Sequence, residues 1–120
     1  MMIIDVYELI GQRALVSRGV ARRIGSAVLE RLENDSVTEP LALDFTRVEA
    51  ASPSFFDELV ATMGELLGES KAGSRNTVIF LHPPESVHYT FQAIGRGRGI
   101  FFAETAPGCW EIELTTIVRN

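Results

Sequence analysis

The sequence alternates short, continuous apolar runs with longer segments in which apolar residues recur every three or four positions. The runs Leu41 to Phe45 and Thr77 to Leu81 have the composition of strands buried in a parallel sheet. A segment with helical spacing precedes the first run, separates the two and follows the second. Because strand–helix–strand connections place their strands side by side, this alternation predicts an α/β fold. We expect a single domain over residues 1–120, with a mixed β-sheet covered by helices.

Local signals place the individual elements of this fold. Helices are expected near 18–33, after the capping residue Ser17, and near 54–67, where either Ser52 or Ser54 can be the cap. A third helix is expected from Pro84 to a glycine-rich segment at 95–99, which is predicted to be a loop. Strands are expected at 3–9, at 13–16 (which can form a hairpin with the first), at 41–45, 77–81, 100–103 and 110–118.

Charge and cysteine content argue against several classes of partner and location. The net charge of −5 disfavours binding to nucleic acid or to an anionic membrane surface. Cys109 is the one cysteine, so no disulfide can form within the chain, which fits a reducing compartment. Asp5 interrupts the apolar N-terminus, and no apolar run approaches the roughly 18 residues that span a bilayer. We therefore expect a cytoplasmic protein.

No catalytic or metal-binding motif is visible. His82, His88 and Cys109 lack the spacing of metal ligands, and nothing near Cys109 in the sequence would activate it as a nucleophile. The glycine-rich segment at 95–99 lacks the Lys-Ser/Thr of a phosphate-binding loop and follows a helix instead of preceding one. The sequence therefore predicts a non-enzymatic protein without a cofactor or a metal.

The segment from Ser52 to Ser54 is the strongest candidate site. A helix N-terminus presents free backbone N–H groups and a partial positive charge, so it can hold a phosphate or a carboxylate. The serines also have a purely structural explanation, since a capping serine stabilises a helix by about 1 kcal/mol.

A run of arginines forms the second unusual feature. Four arginines and no acidic residue lie between Leu9 and Leu29, and Arg18 is at a helix start, where a cation is disfavoured. Arg22 follows four residues later on the same face, which adds repulsion between like charges. The compensating charge is either an acid of the same chain (Asp57, Glu58 or Asp44) or an acidic partner or bound anion.

The segment from Leu41 to Leu59 resembles the STAS-like domains of unknown function, which are small prokaryotic proteins. The matching features are an apolar strand that ends in Asp-Phe, a following valine, a Ser-Phe pair with Asp-Glu shortly after it, and a Ser-Arg pair that opens the preceding helix. In this chain they are Asp44-Phe45, Val48, Ser54-Phe55, Asp57-Glu58 and Ser17-Arg18. The resemblance is strongest over residues 13–67 and implies a STAS-like fold.

This group is similar to the STAS domains of bacterial anti-sigma-factor antagonists, which bind a kinase-like anti-sigma factor and are switched by serine phosphorylation. Their Asp-Ser-Ser-Gly loop aligns with Ser52-Pro53-Ser54-Phe55, so proline replaces the phosphorylated serine and Ser54 remains as the candidate acceptor. The resemblance implies a signalling module that binds a partner protein, such as a kinase-like ATPase. We expect the interaction site to include Arg18, Ser52, Ser54 and Asp57. The alternative is a sensor that binds a small anion or nucleotide at the Ser52–Ser54 helix start.

Overall fold

Short strands and longer helices alternate along the chain in the computed structural model, which describes residues 2–35, 40–69, 77–84 and 87–114. In chain order the elements are β1 (Met2–Asp5), α1 (Val6–Ile10), β2 (Ala14–Leu15), α2 (Arg18–Asp35), β3 (Leu41–Asp44), β4 (Ala50–Ala51), α3 (Pro53–Glu69), β5 (Thr77–Leu81), α4 (Val87–Arg98), β6 (Phe101–Ala106) and β7 (Cys109–Glu113). None of the helices in these ranges has the length and apolar character needed to cross a lipid bilayer.

Five strands form one mixed sheet in the order β1-β3-β5-β7-β6. The first three are parallel, and β7 and β6 are each antiparallel to their neighbour. The prediction that the strands near 3–9, 41–45 and 77–81 belong to one mixed sheet is confirmed, as is the α/β class. The remaining strands, β2 and β4, form a separate two-stranded parallel ladder.

The two faces of the large sheet differ sharply, because successive side chains of a strand point to opposite sides. The row Ile4–Leu43–Phe80–Trp110, aligned across four strands, is buried in the same core as the helices. The adjacent row, Ile3–Ala42–Ile79–Glu111, points away from that core. The helices of the described chain therefore cover one face, and we call the other the open face.

Aromatic rings fill the space between the covered face and the helices. Phe56 of α3 lies 5.6 Å from Phe45 and 5.1 Å from Phe91 of α4, measured between ring centroids. Phe91 also meets Trp110 at 5.0 Å, edge to face. Such pairs add about 0.5–1.5 kcal/mol each to the burial of their surface, so this cluster fixes how α3 and α4 lie on the sheet.

The predicted strand at 3–9 is wrong beyond Asp5. The carboxylate of Asp5 accepts a hydrogen bond from the backbone N–H of Glu8 at 3.1 Å and caps the short helix α1. Gly11 ends that helix in the left-handed region, at φ +74°. The β-branched and aromatic composition favoured a strand here, but the cap and the burial of Val6 favour one helical turn instead.

The hairpin considered for residues 13–16 is also wrong, although a short strand does form there. The strand β2 pairs in parallel with β4, with Ala14 opposite Ala50 and Leu15 opposite Ala51. The backbone N–H groups of Glu49 and Ala50 both donate to the carbonyl oxygen of Arg13, at 2.7 and 3.2 Å. The turn of α1 carries the chain away from β1, so residues 13–16 meet the segment before α3 instead.

The predicted loop at 95–99 is largely helical, since α4 continues to Arg98. Gly99 follows at φ +69°, and the N–H of Ile100 donates to the carbonyl of Gly95 at 3.1 Å, which closes the helix end. The remaining predictions differ only in their bounds: α4 is assigned from Val87 instead of Pro84, α3 extends to Glu69 and β6 to Ala106. The end of the predicted last strand, at 115–118, lies outside the described residues, as do residues 71–76, which we expect from their polar composition to form a loop.

Candidate functional site

Ser52, and not Ser54, caps helix α3. The Ser52 hydroxyl oxygen accepts a hydrogen bond from the backbone N–H of Phe55 at 3.0 Å, and the hydroxyl donates to the carbonyl of Val16 at 3.1 Å. Pro53 occupies the first helical position, where its missing N–H is harmless. Ser54 lies in the first turn of α3 and is exposed.

The β2–β4 ladder places the starts of α2 and α3 side by side. The backbone N–H of Ser52 donates to the carbonyl of Leu15 at 2.9 Å, at the point where both strands end. Ser17 caps α2 by accepting from the N–H of Val20 at 3.1 Å. Because both helices begin at the same edge of the ladder, Arg18 in the first turn of α2 lies opposite Asp57 in the first turns of α3.

This juxtaposition supplies acids for the arginines of α2. Arg18 Nη1 lies 3.0 Å from Asp57 Oδ2 and 3.3 Å from Glu58 Oε1, and Arg22 Nη1 lies 3.2 Å from Glu58 Oε2. The predicted proximity of Arg18 to the start of α3 is therefore confirmed. Of the three acids considered, Asp57 and Glu58 compensate the arginines, while Asp44 accepts hydrogen bonds from Thr46.

Arg98, which the sequence analysis did not single out, completes the cluster. Its Nε and Nη2 atoms contact Asp57 Oδ1 and Oδ2 at 2.8 and 2.9 Å, in the two-pronged geometry that makes an arginine–carboxylate pair specific. The helical spacing of Phe91, Ile94 and Arg98 was a usable signal, because it puts all three on one side of α4. We call Arg18, Arg22, Arg98, Asp57 and Glu58 the arginine–carboxylate network.

The network lowers the pKa of both of its acids, Asp57 and Glu58. Hydrogen bonds from Arg98 lower the pKa of Asp57 to about 2; partial burial opposes this shift and Arg18 adds to it. For Glu58, partial burial has the largest single effect and would raise the pKa, but the hydrogen bonds from Arg22 and Arg18 outweigh it, so the pKa is lowered. Both side chains are thus charged at neutral pH, which suits ion pairing and not proton transfer.

An open groove of about 660 Å³ lies beside the network, between the start of α3 and helix α4. Tyr89 of α4 is 79% exposed within it. The groove is lined by Arg18, Pro53, Ser54, Asp57, Tyr89, Thr90, Ala93, Ile94, Gly97 and Arg98, and we call it the α3–α4 groove. Three of the four predicted site residues, Arg18, Ser54 and Asp57, line it; Ser52 does not.

The helix start itself has little capacity left for an anion. Pro53 has no N–H, and the N–H groups of Phe55 and Phe56 already donate to Ser52, through its hydroxyl and its carbonyl. That leaves the N–H of Ser54 without an intrahelical acceptor in the first turn. The Asp57 carboxylate also lines the groove, and its negative charge opposes the approach of an anion.

Within residues 2–35, 40–69, 77–84 and 87–114, no three histidine, cysteine or acidic side chains are grouped so that they could hold a metal ion. The arginine–carboxylate network and the α3–α4 groove beside it form the candidate site. Comparison of the chain with protein-family models, with curated proteins and with solved structures finds no match.

Proposed function

We propose that this chain is a non-enzymatic regulatory module that binds a partner protein through the α3–α4 groove. The observation that supports the proposal is the combination of an exposed tyrosine, Tyr89, and an exposed serine, Ser54, beside a fixed set of charges. Tyrosine and arginine are enriched where protein interfaces derive most of their affinity. The resemblance to anti-sigma-factor antagonists makes a kinase-like ATPase the first partner to test.

We further propose that Ser54 is the phosphoacceptor. It is the exposed serine of the segment that aligns with the phosphorylated loop, and Arg18 and Arg98 line the same groove. A phosphate on Ser54 would compete with Asp57 for these two guanidinium groups, since both anions favour charge-assisted pairs with arginine. Phosphorylation would then change the charge of the groove and redirect its arginines.

The proposal is tested with the Ser54→Asp variant and a matched control. Wild type and variant are immobilised, captured proteins are identified, and the purified partner is titrated against each. We expect Ser54→Asp to weaken binding at least tenfold and the Tyr89→Ala variant to weaken it similarly. Ser26→Asp introduces the same charge at an exposed position of α2 and should change the affinity less than twofold.

Two results would overturn the proposal. Equal binding by wild type, Ser54→Asp and Tyr89→Ala would place the interaction elsewhere on the molecule. The second result is that wild type captures no protein, but inorganic phosphate or a nucleotide raises its melting temperature and does not raise that of Ser54→Asp. This result would instead support the anion or nucleotide sensor.

A further inference from the structure

The open face of the sheet carries apolar side chains that the core does not use. Ile3 is 50% exposed at one edge of the sheet and Phe101 is 60% exposed at the other. Ile79 and Leu81 of the central strand β5 are half-buried on the same face and do not belong to the core. Ala42, aligned between Ile3 and Ile79, is fully buried, so the exposed apolar side chains lie towards the edges of this face. Parallel strands are normally covered on both faces, and the described helices cover only the other one, so these exposed side chains point to an interaction surface.

The charged side chains that the strands themselves place on the open face are all acidic. Glu111 is aligned with Ile79, and Glu113 is aligned with both Thr77 and Phe101, so both glutamates point to the open face. Both are exposed, and no basic side chain of the described chain pairs with either. None of the five strands of the sheet contains a lysine or an arginine.

The size of the face limits what can cover it. Five strands about 4.8 Å apart and four to six residues long, at about 3.3 Å per residue, span roughly 24 by 13–20 Å, or about 400 Å². A stable dimer buries about 800 Å² on each partner, so two open faces packed together would be too small, and they would also bring acids against acids. One helix of three to four turns, about 10 Å wide and 20 Å long, matches these dimensions.

From the apolar side chains of β1 and β5, the two glutamates of the neighbouring strand β7 and the limited area, we propose that the open face docks an amphipathic helix of a partner protein, with one apolar stripe flanked by lysine or arginine. The apolar stripe would pack on Ile3, Ile79 and Leu81, and the basic flank would pair with Glu111 and Glu113. This surface lies on the opposite side of the sheet from the α3–α4 groove and does not depend on the function proposed for it.

The probe for this proposal is an 18-residue helical peptide of leucine and lysine, with leucine at every third or fourth position. A matched peptide has glutamate in place of each lysine. Fluorescence anisotropy gives the affinity for the full chain, and changes in amide chemical shifts locate the contact. We expect the lysine peptide to bind with shifts confined to the sheet, and the glutamate peptide to bind at least tenfold more weakly.

Charge-reversed variants locate the site independently. The Glu111→Lys, Glu113→Lys double variant should weaken binding of the lysine peptide at least tenfold. Phe101→Ser should also weaken binding, and it should leave the protein folded because this side chain is already exposed. The control is the Glu30→Lys, Glu65→Lys double variant, which changes the net charge equally at exposed positions of α2 and α3 and should have less than a twofold effect.

Several outcomes would overturn the proposal. Equal weakening by both double variants would mean that the peptide senses only the net charge of the protein. Chemical-shift changes on the helices, equal binding of both peptides or no binding at all would remove the open face as the site. A dimer in sedimentation that Phe101→Ser converts to a monomer would assign the face to a second copy of the chain.

Discussion

Ser52 and Ser54 lie two residues apart at the start of α3, and their contacts imply that they contribute differently to the free energy of unfolding. Ser52 makes the capping bond to Phe55 and a second bond to Val16, whereas Ser54 is exposed in the first turn. We expect Ser52→Ala to lower the free energy of unfolding by about 1–2 kcal/mol, because loss of a capping serine has that effect. Ser54→Ala should change it by less than about 0.5 kcal/mol, as exposed substitutions usually do.

Urea denaturation of the two alanine variants, followed by circular dichroism, measures both values under the same conditions. Each variant serves as the control for the other, since both replace a serine by alanine within one helical turn. Similar destabilisation by the two substitutions would contradict the assignment of the cap to Ser52.

At the scale of residues, the sequence analysis named every member of the arginine–carboxylate network except Arg98. Of the four arginines without a neighbouring acid, Arg18 and Arg22 pair with Asp57 and Glu58, two of the three acids that the sequence analysis considered. The choice between Ser52 and Ser54 as the cap could not be made, since both serines fit the spacing. Arg98 was missed because the glycines around it suggested a loop, while its pairing with Asp57 depends on contacts between distant segments.

At the scale of elements, the end of α4 depends on one of its two glycines. A Cβ added at Gly95 would lie 2.7 Å from the carbonyl oxygen of Ile100, which is closer than real Cβ atoms come to a backbone oxygen. A Cβ at Gly97 would meet nothing within 4 Å. We expect Gly95→Ala to destabilise the protein by about 1–3 kcal/mol, because the backbone after the helix must move. Gly97→Ala should be neutral or stabilise it by up to about 1 kcal/mol, since alanine favours helices.

Thermal unfolding monitored by calorimetry compares the two glycine variants, which differ only in position. The same effect from both would show that the close approach of Ile100 to Gly95 does not constrain the helix end.

The elements were predictable where a single periodicity dominated and not where two signals competed. Helices α2 and α3 have long stripes of apolar residues after a capping serine, and their bounds differ from the prediction by at most two residues at either end. Residues 6–9 combine β-branched and aromatic side chains with a capping aspartate, Asp5, and there the cap decided the structure. The β2–β4 ladder has two residues per strand, too few for any periodic pattern to appear.

At the scale of the whole molecule, the arginine–carboxylate network connects helices α2, α3 and α4 and makes stability depend on pH. The pKa of Asp57 is about 2 in the folded chain, below its ordinary value of 3.8. A lowered pKa stabilises the folded state above about pH 4, and this contribution is lost as the pH falls through the folded pKa of about 2. Allowing for the partial exposure of the pair, it amounts to about 1–2 kcal/mol at neutral pH.

The Arg98→Ala variant tests this dependence, because it removes the main cause of the shift. We expect it to lower the free energy of unfolding by about 1–2 kcal/mol at pH 7, and by much less at pH 2, where Asp57 is about half protonated in the wild type. Urea unfolding at both pH values gives the two differences. Arg23→Ala, at an exposed position of α2, is the control and should show no such pH dependence. If Arg98→Ala lowered the free energy of unfolding equally at pH 7 and pH 2, the ion pair with Asp57 would not be the source of the pH dependence.

The class of fold was predictable from the sequence, but the open face was not. Alternation of strands and helices fixes a layered α/β arrangement with few alternatives. The central run Thr77 to Leu81 is apolar on both sides, so its pattern does not tell whether helices cover one face or two. Only the packing of α2, α3 and α4 on the same side of the sheet reveals which side chains remain outside the core.

The β2–β4 ladder also affects the conformational entropy of binding. Holding one residue in a single backbone conformation costs about 1–2 kcal/mol at room temperature. For the residues of the ladder, this entropy is already lost when the chain folds. A partner that docks in the α3–α4 groove would therefore find the backbone of Ser52 already ordered, held by the carbonyl of Leu15. The freedom lost on docking would be mostly that of side chains such as Tyr89, at about 0.5–1.5 kcal/mol each. Such an association would be nearly rigid-body, with the groove preorganised before the partner arrives.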